Sequence, residues 1–211
     1  MASMTLLAVV VGHQESGRLA LRQHMVGHGL RQGLLALITD PDAYRGRFLD
    51  IAAAKQWAAA KCKGGKSVLI GHSMGAATTM MEAGARNRLG VKGSNGFTAY
   101  VALSPQGPGP IFPHQAWSTI KRPVLSITGT RDRGLDAGSW TTRTQPFTSM
   151  PAGCKWLAVL DGATHMDFAG QGPSRRTEAL TIHVIGAFLA GLDRGDCKAP
   201  RWRPGLNVQS K

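Results

Sequence analysis

Residues 67–80 read SVLIGHSMGAATTM. Three apolar residues, Val68, Leu69 and Ile70, run directly into Gly71-His72-Ser73-Met74-Gly75, and a run of small residues at helical spacing follows. A short apolar run bounded by glycine reads as a buried strand, and the small-residue run reads as a helix. The chain must therefore turn sharply from strand to helix at Ser73. A glycine on each side of that serine is the pattern expected where neighbouring backbone comes too close for a Cβ.

The same alternation extends along the chain. Leu6 to Val11 is a candidate first strand, followed by a helical stretch from Gly17 to roughly Gly27. GLLALITDPD is expected to be a second strand ending at Asp40-Pro41, with a long helix from about Arg45 to Lys61. The third strand is SVLIG, and its helix runs from Ala76 to about Arg88. Residues 98–104, 122–129 and 154–162 are the fourth, fifth and sixth strands, and Glu178 to Leu192 is a closing amphipathic helix. Near-continuous apolar strands separated by helices predict an α/β protein. Its mostly parallel, doubly wound sheet would have about six strands and be covered on both faces. The length of 211 residues suits a single domain over 1–211. Residues 1–4 have the look of a leader remnant, and the tail from Asp193 is expected to be an irregular extension.

Composition sets limits on function. Twenty-five Lys and Arg against twelve Asp and Glu give a formal charge of +13. The basic residues are spread along the chain, with local clusters only at 61–66 and 198–211, and no nucleic-acid-binding motif accompanies them. The reading is a solvated basic surface and no specific nucleic-acid partner. No apolar run approaches the roughly 18 residues of a transmembrane segment. The compartment is left open: cytoplasmic as the chain stands, secreted or periplasmic if a signal has been trimmed. Of the three cysteines, Cys154 and Cys197 are the plausible disulfide pair. Cys62 is expected to be at least half-buried. No Cys/His spacing suggests a metal.

In a doubly wound sheet, ligands bind beyond the carboxyl ends of the strands, where Ser73 sits. G-x-S-x-G is the nucleophile-elbow pattern. A serine hydroxyl is a weak nucleophile at neutral pH and needs an adjacent base held by a third group. Both partners fall where the strand pattern puts them. Asp132 follows the fifth strand in ITGTRD, and His165 follows the sixth in LDGATH. Asp161 and Asp167 are rival acids and rank behind Asp132. Taken singly, each residue also has a plain reading: a tight turn at Ser73, a turn aspartate at 132, a capping histidine at 165. His72 is expected to point elsewhere along the turn and pack. The Met74 backbone N–H, at the start of the helix, is the first candidate donor to an oxyanion. The short connections leave no room for a cap domain and predict an open, shallow site. Gln106, Pro108 and Phe112 are candidate wall residues and Trp140 a further candidate substrate contact, while Met74, Met166 and Phe168 are candidate apolar contacts at which core packing is equally open.

These motifs resemble the α/β-hydrolase superfamily over essentially the whole chain. Within it the closest likeness is to dienelactone-hydrolase-like and cutinase-like serine esterases. The resemblance rests on GHSMG at 71–75, ALSPQGPG at 102–109, PVLSITGTRD at 123–132 and LDGATHMDFAG at 160–170. Dienelactone hydrolases themselves use cysteine where Ser73 stands. The resemblance implies hydrolysis of carboxylic esters, small or polymeric, through a serine acyl-enzyme, with no metal or cofactor. It also implies a second oxyanion donor after the first strand, at Gln14 or Glu15 of GHQES. Two early strands of that fold are missing from the pattern, and a binding protein that keeps the fold without catalysis is the competing expectation.

Overall fold

The computed structural model describes residues 6–26, 29–62, 65–134, 138–200 and 203–211. They divide into two compact units, Met1–Lys66 and Ser67–Lys211. The expected leader remnant at 1–4 lies outside the described residues.

The first unit is helical. It holds a 3-10 turn, Gln14–Ser16, and helices α1 (Arg18–Met25), α2 (Gly29–Ile38) and α3 (Pro41–Lys61). The expected second strand is therefore wrong: GLLALI is the end of α2. Leucine and alanine dominate that run, and both favour helix, while β-branched residues are nearly absent from it. Gly33 and Leu37, one helical turn apart, are its buried positions. The expected first strand also fails. Residues 6–13 form no regular structure, and Leu6 and Val10 are exposed. A strand exists only through a neighbour that completes its ladder, and among the described residues this segment pairs with none. Helix α3 starts earlier than expected because Asp40 caps it, accepting from the Asp42 N–H at 2.9 Å, with Pro41 in the first turn.

The second unit is a mixed α/β layer structure. Its strands are β1 (Val68–His72), β2 (Ala99–Leu103), β3 (Val124–Arg131), β4 (Lys155–Thr164) and β5 (Leu206–Ser210). They form one sheet in the order β1-β2-β3-β4-β5, with β1 to β4 parallel and β5 antiparallel to β4. Helices α4 (Met74–Glu82), α5 (Gln145–Ser149) and α6 (Arg175–Arg194) flank it. Among the described residues the sheet has five strands where about six were expected, since the two early candidates are lost and one unforeseen strand is gained.

The inner parallel strands β2 and β3 are apolar on both faces because both are covered, whereas β1 at the sheet edge is only partly buried and Ile70 is exposed. On one face Val101, Leu125, Ile127, Trp156 and Ala158 pack with Val184 and Phe188 of α6. The Trp156 and Phe188 rings meet edge to face at 5.3 Å. Each of the valine, leucine, isoleucine and phenylalanine side chains contributes about 1.5–3 kcal/mol on burial. On the alternate residues of β2, Tyr100 reaches the Glu82 carbonyl at the end of α4. That helix stops well before Arg88, at Gly84 (φ 101°), whose N–H bonds to Met81 while the next N–H bonds to Met80. Helix α6 opens on Ser174, which accepts from the Thr177 N–H.

The tail is not an irregular extension. Leu206 and Val208 of β5 alternate with Asn207 and Gln209, and Val208 pairs with Ala158. Leu206 is buried. Before it, Cys197 bonds to Cys154 and accepts the Trp156 indole N–H through its carbonyl at 2.8 Å. Cys62, expected to be half-buried, is free and exposed. Among the described residues no helix is long and apolar enough to cross a membrane.

The disulfide links positions 43 residues apart, and so restricts the unfolded chain. Replacing Cys197 by Ser is expected to lower the unfolding free energy by about 2–4 kcal/mol. Urea denaturation of the variant beside the oxidised parent checks this.

Candidate active site

The site is built at the carboxyl ends of β1, β3 and β4. Ser73 stands between β1 and α4 with φ 55° and ψ −117°, a backbone state that a residue with a Cβ rarely holds. The turn is held from both sides: the Ser73 N–H bonds to the Leu103 carbonyl at 3.1 Å, and the Ser73 carbonyl accepts from the Ala77 N–H at 3.0 Å. Gly71 is obligatory here. A Cβ on it would overlap the Gly75 carbonyl and stand 2.6 Å from Thr79 Oγ1.

The other two side chains arrive through a second close approach. Gly129, near the end of β3, lies against Ala163 of β4, where a Cβ would overlap the Ala163 carbonyl. The β3–β4 register shifts between Gly129 and Arg131. The Asp132 N–H turns back to the Gly129 carbonyl at 3.0 Å. His165 is the first residue after β4. Asp167 steadies this corner by accepting from both the N–H and the hydroxyl of Thr164 at 2.8 Å.

The three side chains form one chain of contacts. Ser73 Oγ is 3.0 Å from His165 Nε2, and His165 Nδ1 is 2.9 Å from Asp132 Oδ1. With the proton on Nδ1, the imidazole donates to Asp132 and Nε2 is free to accept from the serine hydroxyl. Asp132 is fully buried. Its Oδ2 accepts from the Thr128 hydroxyl at 2.9 Å, and Arg143 Nε lies 3.0 Å from its Oδ1. Burial alone would push the carboxyl up. The His165 hydrogen bond and the Arg143 charge outweigh that effect and hold it below the usual carboxylate range. An ionised acid, an oriented base and a hydroxyl in line are the parts needed to activate an oxygen nucleophile.

The rival acids are engaged elsewhere. Asp161 accepts from the Thr130 hydroxyl at 3.0 Å, and Asp167 is held by Thr164. His72 does not point away along the turn. Its ring lies 4.6 Å from the His165 ring, centroid to centroid. Burial, reinforced by His165, pushes its pKa down to about 4, so it is an uncharged wall beside the His165 ring at neutral pH.

Other sequence-predicted residues are more scattered. Met74 opens α4 immediately after Ser73. Met166, next to His165, is 46% exposed. Gln106 is half-buried, and its Oε1 has no hydrogen-bond partner. Phe112 is not a site wall: it is fully buried and packs on Trp117 at 5.2 Å. Phe168 likewise belongs to the core beneath α6. Trp140 lines a groove of about 520 Å³ with Thr130, Asp161 and Asn207, and no member of the Ser73–His165–Asp132 chain lines that groove. Gln14 and Glu15 belong to the first unit, where both are exposed in the 3-10 turn. Sequence reasoning missed Arg143, because a loop arginine reads as a solvated charge until its burial is seen.

No protein-family model matches the chain, and no curated protein matches it. Among solved structures it is similar to the esterase domain of a protein from Rhodothermus marinus, at 17% identity and a TM-score of 0.47. That match covers 66% of this chain and 66% of the other, just under two thirds of each.

Proposed function

We propose that this chain is a serine hydrolase of carboxylic esters, with Ser73 as nucleophile, His165 as general base and acid, and Asp132 as the group that orients and stabilises the imidazole. The observation that carries the reading is the continuous contact Ser73 Oγ–His165 Nε2, His165 Nδ1–Asp132 Oδ1, at 3.0 and 2.9 Å. The strained backbone at Ser73 supports it, since strain of this kind persists where it serves a site.

His165 Nε2 takes the hydroxyl proton as Ser73 Oγ attacks the ester carbonyl carbon. The carbonyl oxygen becomes an oxyanion facing the N-terminus of α4, where the Met74 N–H and the helix dipole favour negative charge. His165 then gives its proton to the departing alkoxide, leaving an acyl-serine. A water molecule, deprotonated by the same nitrogen, attacks the acyl carbon, and the proton returns to Ser73 as the acid leaves. The side chains account for every proton transferred.

The substrate class we infer is short- to medium-chain or aromatic esters, with polyesters as an extension. The exposed Met166 thioether beside His165 supports an apolar contact open to solvent. The Cys154–Cys197 bond supports an oxidising compartment, since such bonds persist there.

The Ser73→Ala variant is expected to lose p-nitrophenyl butyrate turnover by at least about 10⁴-fold while remaining folded. An organophosphonate is expected to add its mass to the peptide containing Ser73. A folded parent protein that turns over no ester in a broad panel would leave the binding-protein reading in its place. Asp132→Asn is expected to lower kcat by about 10⁴-fold with a smaller change in KM, because the amide can present its NH₂ group to Nδ1 and favour the wrong tautomer. Steady-state kinetics on the same ester distinguishes these outcomes.

A further inference from the structure

We propose that Arg143 is a positioning residue of this site, one guanidinium that fixes the carboxylate of Asp132 and touches the loops after β2, β3 and β4. The inference rests on the reading of Ser73, His165 and Asp132 as a catalytic relay.

Arg143 lies in the 3-10 helix Trp140–Thr144 and is 5% exposed. A guanidinium stays protonated under all ordinary conditions, so burying one is costly unless its N–H groups are met. Here they are met by groups of the site. Nε donates to the Asp132 carbonyl at 2.9 Å and lies 3.0 Å from Asp132 Oδ1. Nη1 donates to the Ser104 carbonyl at 2.8 Å and reaches the Pro105 carbonyl at 3.3 Å. Nη2 is 3.4 Å from His165 Nδ1. One side chain thus touches the loops after β2, β3 and β4.

Two backbone features show that the surroundings are shaped to this arrangement. Ser104 holds φ 55°, in the left-handed region, while its carbonyl accepts from Arg143. Gly107 lies so close to the 3-10 helix that a Cβ on it would overlap the Thr142 carbonyl. The helix carrying Arg143 is therefore seated directly on the loop that supplies two of its acceptors.

The chemical consequence lies at Asp132 Oδ1, which meets both His165 Nδ1 and Arg143 Nε, while Thr128 takes Oδ2. The carboxylate plane is fixed from three directions. Nη2 and the protonated Nδ1 are both donors, so their 3.4 Å contact is not a bond. It places a positive charge beside the imidazole and favours the ionised acid. The charged and titratable groups facing Asp132 are His165, Arg143 and, behind His165, the uncharged His72. Because the Arg143 charge helps hold the Asp132 carboxyl low, removing it raises that carboxyl. Protonation of Asp132 then begins at higher pH and removes the charge that makes it a strong acceptor for Nδ1–H.

The test compares Arg143→Met and Arg143→Lys with the parent, using p-nitrophenyl butyrate and phosphonate labelling to count active sites. Arg143→Met is expected to lower kcat per labelled site by about 10²-fold, the cost of a misplaced catalytic group. KM should change little, and the acid limb of kcat/KM should move to higher pH. Arg143→Lys keeps a charge but cannot span three loops. It is expected to restore the acid limb while leaving kcat about tenfold below the parent. A folded Arg143→Met protein with parental kcat and an unmoved acid limb would overturn the proposal. If that variant does not fold, parental kcat in Arg143→Lys overturns it equally. The downfield NMR resonance of the His165 Nδ1–H proton separates this proposal from the catalytic reading, because it needs no turnover. It is expected to shift or vanish in Arg143→Met, and an unchanged resonance counts against the positioning role whether or not the parent hydrolyses esters.

Discussion

Two absent side chains allow the rest of the site to exist. At Gly71 the end of β1 passes against the first turn of α4, and at Gly129 the end of β3 passes against β4, each too closely for a Cβ. The first contact lets the chain reverse at Ser73 and lift the hydroxyl clear of the sheet. The second accompanies the register shift after which Asp132 and His165 leave neighbouring strands side by side. Backbone cannot yield as a flexible side chain can, so a methyl group at either position would have to separate elements that the core holds together. The core beneath them, centred on Leu125, Ile127, Trp156 and Phe188, is what holds the strand ends at those distances. The contact between Ser73, His165 and Asp132 thus rests on packing several residues below it.

The second unit was largely legible in the sequence, and the first was not. Strands β1 to β4 are short apolar runs bounded by glycine, proline or aspartate, and parallel pairing buries β2 and most of β3 and β4, while β1 at the sheet edge stays partly exposed. Composition and architecture then agree. In the first unit, LLALI carries no periodicity that separates strand from helix, and the outcome followed the propensity of leucine and alanine. LLAVVV has strand composition but no pairing partner among the described residues, and composition cannot supply a ladder. Strand β5 was missed for the opposite reason. Its alternation is present, but five residues after a proline-rich stretch read as a tail until β4 offers the pairing.

The candidate site divides in the same way. Ser73, Asp132 and His165 could be read because each follows a strand, and the ends of parallel strands share one edge of a sheet. Arg143 could not, because nothing in TTRTQ separates a buried cation from a solvated one. Phe112 was misassigned for a related reason: a phenylalanine in a proline-rich loop can face a ligand or the core, and Trp117 lies only five positions on to receive it. Local sequence reports which residue types are present. Burial and counter-charge are properties of residues distant along the chain.

Counter-charge also explains why one carboxylate of three serves His165. Asp161 sits at a strand end, exposed, with the Thr130 hydroxyl on it, and water can satisfy its charge. Asp167 closes the turn around His165, and its Oδ2 is committed to Thr164. Only Asp132 is buried with a cation beside it, so only there does the interior itself demand that the acid stay ionised. A buried carboxylate with Thr128 alone would take up a proton more readily and become a weaker, uncharged acceptor. A buried guanidinium without the carboxylate would be an unpaired charge. Each makes the other tenable, and His165 Nδ1 stands within hydrogen-bonding distance of the shared oxygen. The carboxylate that faces His165 is therefore better described as part of an Asp132–Arg143 ion pair than as a lone group.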